Sequence, residues 1–158
     1  MSSTKTETQK PAYLRPIDFK NGLVDMNHGA GGRVGAQLVT ELFARAFDNE
    51  FLNQGNDGAL LSIPAGHKVV MATDAHVISP LFFPGGDIGS LSVHGTINDV
   101  AMLGAQPLYL SASFILEEGF PLALLKQSVE SMAAASRACG VPIVTGDTKV
   151  VEKGKGDG

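Results

Sequence analysis

The stretch from Val69 to Pro107, VVMATDAHVISPLFFPGGDIGSLSVHGTINDVAMLGAQP, constrains this chain more than any other. It reads as a strand running out at Thr73-Asp74, a loop rich in proline and glycine, and then a helix with one side nearly all small or polar. Asp87 stands where an N-cap belongs, Gly104 where a C′ glycine belongs, and Pro107 blocks any continuation. Ser92, Gly95, Thr96 and Asp99 lie three and four residues apart and so share one face. Val93, Ile97, Val100 and Ala101 supply the opposite side, which is apolar enough to face a core. An interior glycine costs roughly 0.5–1 kcal/mol relative to alanine, and an aspartate is unfavourable near the negative end of a helix. Those two local penalties predict that something approaches the helix closely at Gly95 and that a carboxylate is wanted at Asp99. They mark a site.

Upstream, residues 1–25 are rich in Ser, Thr, Lys and Glu, with Pro11 and Pro16 and little periodicity, and are expected to form a flexible arm. Asn27-His28-Gly29-Ala30-Gly31-Gly32-Arg33 then feeds a helix. Its apolar lines are Val34, Leu38 and Leu42, and Val39, Phe43 and Phe47, and it ends near Asp48-Asn49. The glycine run has the composition of a phosphate cradle, with His28 the histidine best placed to take part; taken alone, it reads rather as a flexible lead-in to the helix. Downstream, residues 108–116 read as a buried strand and Pro121 as the first position of a helix striped by Leu122, Leu125, Val129, Met132 and Ala133. Gly140 ends that helix, with Cys139 expected as a small buried hydrophobe. Residues 141–151 form a last strand in which Asp147 and Lys149 fall on one side.

Two further segments bear on the acids. Residues 56–63 and 68–77 read as strands flanking the turn residues Pro64-Ala65-Gly66-His67. A hairpin centred on Ala65-Gly66 pairs Ile63 with Lys68 and, in the same register, Asp57 with Asp74. Directly opposed residues have Cβ atoms roughly 4.5–5.5 Å apart, and two carboxylates at that distance repel unless a proton or cation lies between them. A hard divalent ion, Mg²⁺ carried with phosphates, resolves the repulsion. The plain alternative is a slipped register, with both acids merely ending strands in water. The four histidines have no zinc-like spacing, so no zinc site is assigned.

Composition narrows the partners. Sixteen Asp and Glu against twelve Lys and Arg, with no basic cluster, argue against nucleic acid. Nineteen glycines, many beside acids, suit an anion held by backbone amides and a cation. The lone Cys139 rules out an internal disulfide and suits a reducing compartment, and no apolar run has the length of a membrane span. The chain is read as cytoplasmic.

With these residues laid out, HGAGGR, NDGA, the segment from ATDAHVISPLFFPGGDIG to FILEEG, and TGDTKVVEKGKGD closely resemble the HypE family of hydrogenase expression/formation proteins. That family lies within the ATP-using superfamily of aminoimidazole ribonucleotide synthetase, selenophosphate synthetase and thiamine monophosphate kinase. The resemblance covers residues 26–158. It implies an α/β (α+β) aminoimidazole ribonucleotide synthetase-like N-terminal domain: a mixed sheet, helices on one face, and the sheet used to form a homodimer. It implies ATP and Mg²⁺ as cofactors, with Asp57, Asp74, Asp99 and Asp147 as metal ligands around one magnesium–phosphate cluster. Residues implied to contact the nucleotide are His28, Gly29, Gly31, Gly32, Thr73, Gly95, Asn98 and Thr148. Lys149, of the GDTKV motif, is implied with Asp99 in catalysis; without the resemblance it reads as a solvated strand lysine.

The family carries a carbamoyl group, delivered by the HypF carbamoyltransferase, on a C-terminal cysteine. ATP-dependent dehydration converts it to a thiocyanate, whose cyanide passes to the HypC–HypD complex for nickel–iron hydrogenase. A second α/β domain and the cysteine tail of that family have no counterpart in these 158 residues, so the chain is expected to be a fragment carrying the ATP-binding, dimerising portion. The alternatives are another small-molecule kinase or synthetase of the superfamily, and a non-catalytic docking module.

Overall fold

A computed structural model of the chain describes residues 15–63 and 65–156. Residues 1–14 of the expected arm and Pro64 of the expected turn lie outside them. A short 3₁₀ turn, Met26–His28, leads through the glycine loop into α1 (Arg33–Leu38), which continues through a π turn at Val39–Phe43 into α2 (Ala44–Ala46). A second 3₁₀ turn follows at Leu52–Gln54. The antiparallel pair β1 (Phe82–Phe83) and β2 (Gly86–Asp87) then delivers the chain into α3 (Ile88–Met102). Strand β3 (Leu110–Glu117), helix α4 (Leu122–Cys139) and strand β4 (Ile143–Val151) complete the domain.

Strands β3 and β4 are parallel, with Ser113 opposite Asp147 and Ile115 opposite Lys149. Parallel neighbours need a crossover, and α4 supplies it. Its buried stripe of Leu122, Leu125, Val129, Met132 and Ala133 faces the core as its spacing predicts. Phe114 of β3 meets Phe43 at 4.9 Å between ring centroids, joining one sheet face to the first helical run. The other face is open, with Ser113, Ile115, Asp147 and Lys149 exposed. The domain is therefore mixed α and β, with its helices on one side of the β3–β4 sheet.

Helix boundaries follow local chemistry. Asp87 caps α3, Gly104 stands just past its end at φ 71°, and Gly140 ends α4 at φ 67°, a region glycine enters without strain. Pro121 is the N-cap of α4, and the helix begins one residue later than predicted. The π turn at Val39–Phe43 advances the helical phase, so the neighbours Leu42 and Phe43 are both buried while Val39 is half exposed.

Five expectations fail, the first being the buried strand at 108–116, which leaves Leu108 46% and Ile115 73% exposed because one sheet face is uncovered. The 56–63 and 68–77 segments run without forming the predicted hairpin; among the described residues neither pairs with another strand. The turn itself is present, with Gly66 at φ 83°. Leu60 is 87% exposed and Met71 88%, and a two-stranded ribbon with nothing packed on its apolar face is barely stable in water. The predicted mobile arm is docked over its last part: Ile17 and Phe19 pack on the core, Val24 is 1% exposed, and the Val24 amide donates to the Phe120 carbonyl at 2.8 Å. Cys139 is exposed, because the last turn of α4 runs past the core. Ala101 is likewise exposed, while Val93 and Ile97 carry the apolar contact of α3.

Candidate nucleotide and metal site

Helix α3 is fixed at its first turn. The Asp87 carboxylate accepts the Gly89 and Ser90 amides (2.8 and 3.1 Å), and Ser131 of α4 donates its hydroxyl to the other oxygen at 2.6 Å. Gly89 lies so close to α4 that a side-chain carbon there would strike the Ser128 carbonyl. Seated this way, α3 leaves Asn98 and Asp99 exposed.

Gly95 admits a close neighbour, as its cost predicted, but the neighbour is His76 of the same chain. A Cβ on Gly95 would stand 2.6 Å from His76 Nε2 and 3.5 Å from Asp74 Oδ2. His76 Nε2 lies 3.3 Å from that same oxygen, and Asp74 Oδ1 accepts the Ala75 amide at 2.8 Å. The imidazole is largely buried, whereas the carboxylate keeps 38% of its side-chain exposure. Asp74 is thereby laid against the helix at Gly95, one turn before Asp99 on the same face. Thr73, beside it, is exposed.

Asp147 and Lys149 occupy the open face of β4 and are exposed, and Thr148 is half-buried between them. Asp147 Oδ1 accepts the Thr148 amide at 2.8 Å, the same contact with the following residue that Asp74 makes. The glycine loop packs behind this strand. A side chain on Gly29 would meet Val150 Cγ2 at 2.9 Å, so Gly29 is glycine for contact with β4. Gly31, at φ 69°, and Gly32 face open space and leave that part of the loop accessible.

His28 is not presented to a ligand. It is buried, and its Nδ1 accepts the Asp25 amide at 3.0 Å while Asp25 Oδ1 accepts the Asn27 amide at 2.8 Å, a reciprocal cap on the Met26–His28 turn. The expected cluster of four acids is not assembled by the chain: among the described residues, no three of His, Cys, Asp and Glu gather into a metal-binding group. The reason is the missing hairpin. Asp57 is exposed on a segment that no ladder holds against Asp74. What the fold does supply is Asp74 and Asp99 along one face of α3, and Asp147 with Lys149 along one face of β4. The sequence reading set His76 aside because it fits no zinc spacing; the signal that could have found it is the helix glycine, which calls for a partner.

The family description AIR synthase related protein, N-terminal domain, matches residues 55–158. The chain belongs to this family. This AIR synthase related domain is 74% identical over 151 residues to the carbamoyl dehydratase HypE of Cupriavidus necator, which covers 96% of the chain and 43% of that relative. It resembles the crystal structure of hydrogenase maturation protein HypE in complex with ATP, with 52% identity and a TM-score of 0.80 over 84% of this chain and 39% of that one. It also resembles the crystal structure of a HypE–HypF complex, with 54% identity and a TM-score of 0.56 over 76% of this chain and 38% of the other. The domain thus spans about two fifths of the length of the proteins it matches. The resemblance to HypE read from the motifs holds along nearly the whole chain.

Proposed function

We propose that the chain is the Mg·ATP-binding, dimerising portion of a cytoplasmic, ATP-dependent carbamoyl dehydratase of nickel–iron hydrogenase maturation. The observation that carries this reading is the likeness to HypE solved with ATP, at 52% identity and TM-score 0.80. The overall reaction converts an S-carbamoyl cysteine and ATP into a thiocyanate, ADP, phosphate and a proton. The carboxamide oxygen attacks the terminal phosphorus and the bond from phosphorus to ADP breaks; then the bond from carbon to that oxygen breaks, and the nitrogen gives up its protons as the C≡N bond forms. Such a transfer needs aligned oxygens and neutralised phosphates rather than a covalent enzyme group.

The donors fit magnesium. Asp57, Asp74, Asp99 and Asp147 offer exposed carboxylate oxygens, which are hard ligands. When bound, Mg²⁺ offsets phosphate charge as it moves toward the leaving ADP. In this reading Asp99 of α3 and Asp74, laid against that helix, would hold the ion together with Asp57 and Asp147, and the exposed Gly31 and Gly32 would offer backbone amides to phosphate oxygens. Gly95, Asn98, Thr73 and Thr148 border the nucleotide, and Lys149 places its ammonium on the phosphate side.

The likeness to a HypE–HypF complex supports HypF as a partner, in this reading the carbamoyl donor, and the proposed acceptor of cyanide is HypC–HypD, as the family resemblance implies. The exposed Leu60, Val69, Met71 and Val77 support a homodimer formed along the extended segments. Calorimetry tests the core of the proposal. The chain is expected to bind Mg·ATP, and Asp99→Asn to bind it roughly tenfold or more weakly, the scale of a lost charged contact. Absence of heat from both proteins would favour a docking module without chemistry.

A further inference from the structure

We infer that His76 is a positioning residue that orients the Asp74 carboxylate toward the metal of a bound nucleotide, using the notch that Gly95 leaves in α3; the inference rests on the nucleotide-binding reading above. Three observations carry it. The imidazole fills the space a side chain on Gly95 would take, with Nε2 2.6 Å from that position, so the helix accepts the ring only where it has no side chain. The same Nε2 faces Asp74 Oδ2 at 3.3 Å. The ring is 15% exposed and the carboxylate 38%, so a largely buried group backs a half-open one. A surface histidine paired with an aspartate by chance has no reason to sit in a helix notch.

The consequence is directional. With Oδ1 accepting the Ala75 amide and Oδ2 facing His76 Nε2 at 3.3 Å, the carboxylate is confined on both sides, and each oxygen retains a lone pair for a cation. Free rotation of Asp74 about χ1 and χ2 would otherwise have to be frozen at the moment of binding. Hydrogen-bonded partners of ligating carboxylates commonly contribute 10- to 100-fold to metal affinity. Gly95 and His76 therefore form one device, and removing either half should have the same result.

The experiment measures binding of a non-hydrolysable ATP analogue to the chain by calorimetry, with Mg²⁺ and with chelator. Wild type is expected to bind more tightly with Mg²⁺. His76→Ala is expected to lose roughly 10- to 100-fold of affinity in Mg²⁺ while changing little in chelator, and Gly95→Ala to show a comparable loss in Mg²⁺. His76→Gln, whose amide can donate to the same oxygen, is expected to recover part of the loss. A merely structural histidine would lower the unfolding temperature and leave the ratio of the two affinities unchanged in every variant, and that outcome overturns the inference. Imidazole ¹⁵N shifts of the wild-type chain give a reading that survives a variant failing to fold: Nε2 should carry a proton, and an unprotonated Nε2 would also overturn the inference. If wild type itself shows no Mg²⁺-dependent binding, the nucleotide reading falls first and the role of His76 with it, which separates the two failures.

Discussion

Asp87 joins two helices through one side chain. It caps α3 through two amides and receives the Ser131 hydroxyl from α4. Loss of the cap costs about 0.5–2 kcal/mol and loss of the interhelical bond about 0.5–1.5 kcal/mol. Asp87→Ala should therefore lower stability by roughly 1–3 kcal/mol in urea unfolding, and Asp87→Asn by less. Asp18 shows the same chemistry in a turn. Hydrogen bonds from the Asn21 amide and side chain and from the Lys20 amide hold its carboxyl below the usual carboxylate value of 3.8. A depressed folded-state value stabilises above the unfolded one and ceases to do so as pH falls through the lower, folded one. The Asp18–Gly22 turn should thus loosen in acid, read as lowered protection factors at the Lys20 and Asn21 amides, with a small effect on global stability because the group is open to solvent. The cap at Asp87 was legible in the sequence because capping is local. The duty of His76 was not, because it depends on Gly95, which meets it from a helix nineteen residues further along the chain, and the local cap that His28 makes with Asp25 was passed over for the glycine run beside it.

At the scale of elements, α3, α4, β3 and β4 could be read in advance because each carries both its periodicity and its punctuation. The stripe of α4 and the glycines at 104 and 140 needed no knowledge of the rest of the fold. The extended segments 56–63 and 68–77 carry strand residues and a turn, yet form no ladder, since pairing requires a surface beneath it that this chain does not provide. The acid pair Asp57 and Asp74 was inferred from that register and goes with it, whereas Asp74 beside Gly95 rests on the helix and is present. The packing of α3 on α4 gives a sharp test. A methyl group at Gly89 meets the Ser128 carbonyl and stands 2.9 Å from the Met132 amide nitrogen, both backbone atoms that cannot swing aside. Gly89→Ala should destabilise the domain by about 1–3 kcal/mol, the usual scale of overpacking, measured as a lowered urea midpoint with an unchanged slope.

For the molecule as a whole, the distribution of apolar surface is uneven. A packed core lies between the helices and one sheet face, while Leu60, Met71, Val77, Met102, Leu103 and Ile115 are open to solvent. Monomeric domains seldom leave so many large apolar residues uncovered, and unpaired extended backbone invites another chain. Sedimentation should find the chain associated as a dimer, and Met71→Asp should shift it toward monomer by placing a charge in the contact. A wild-type monomer at all accessible concentrations would remove the dimer from the proposal. Among the described residues no helix is long and apolar enough to cross a membrane, so these side chains are not explained by a helical span.

The fit of Gly29 against Val150 bears on how this domain could respond to an occupant. Because no side chain fits between them, the turn that carries Gly31 and Gly32 is seated directly on the strand that carries Lys149, so a bulkier residue at position 29 would part the two.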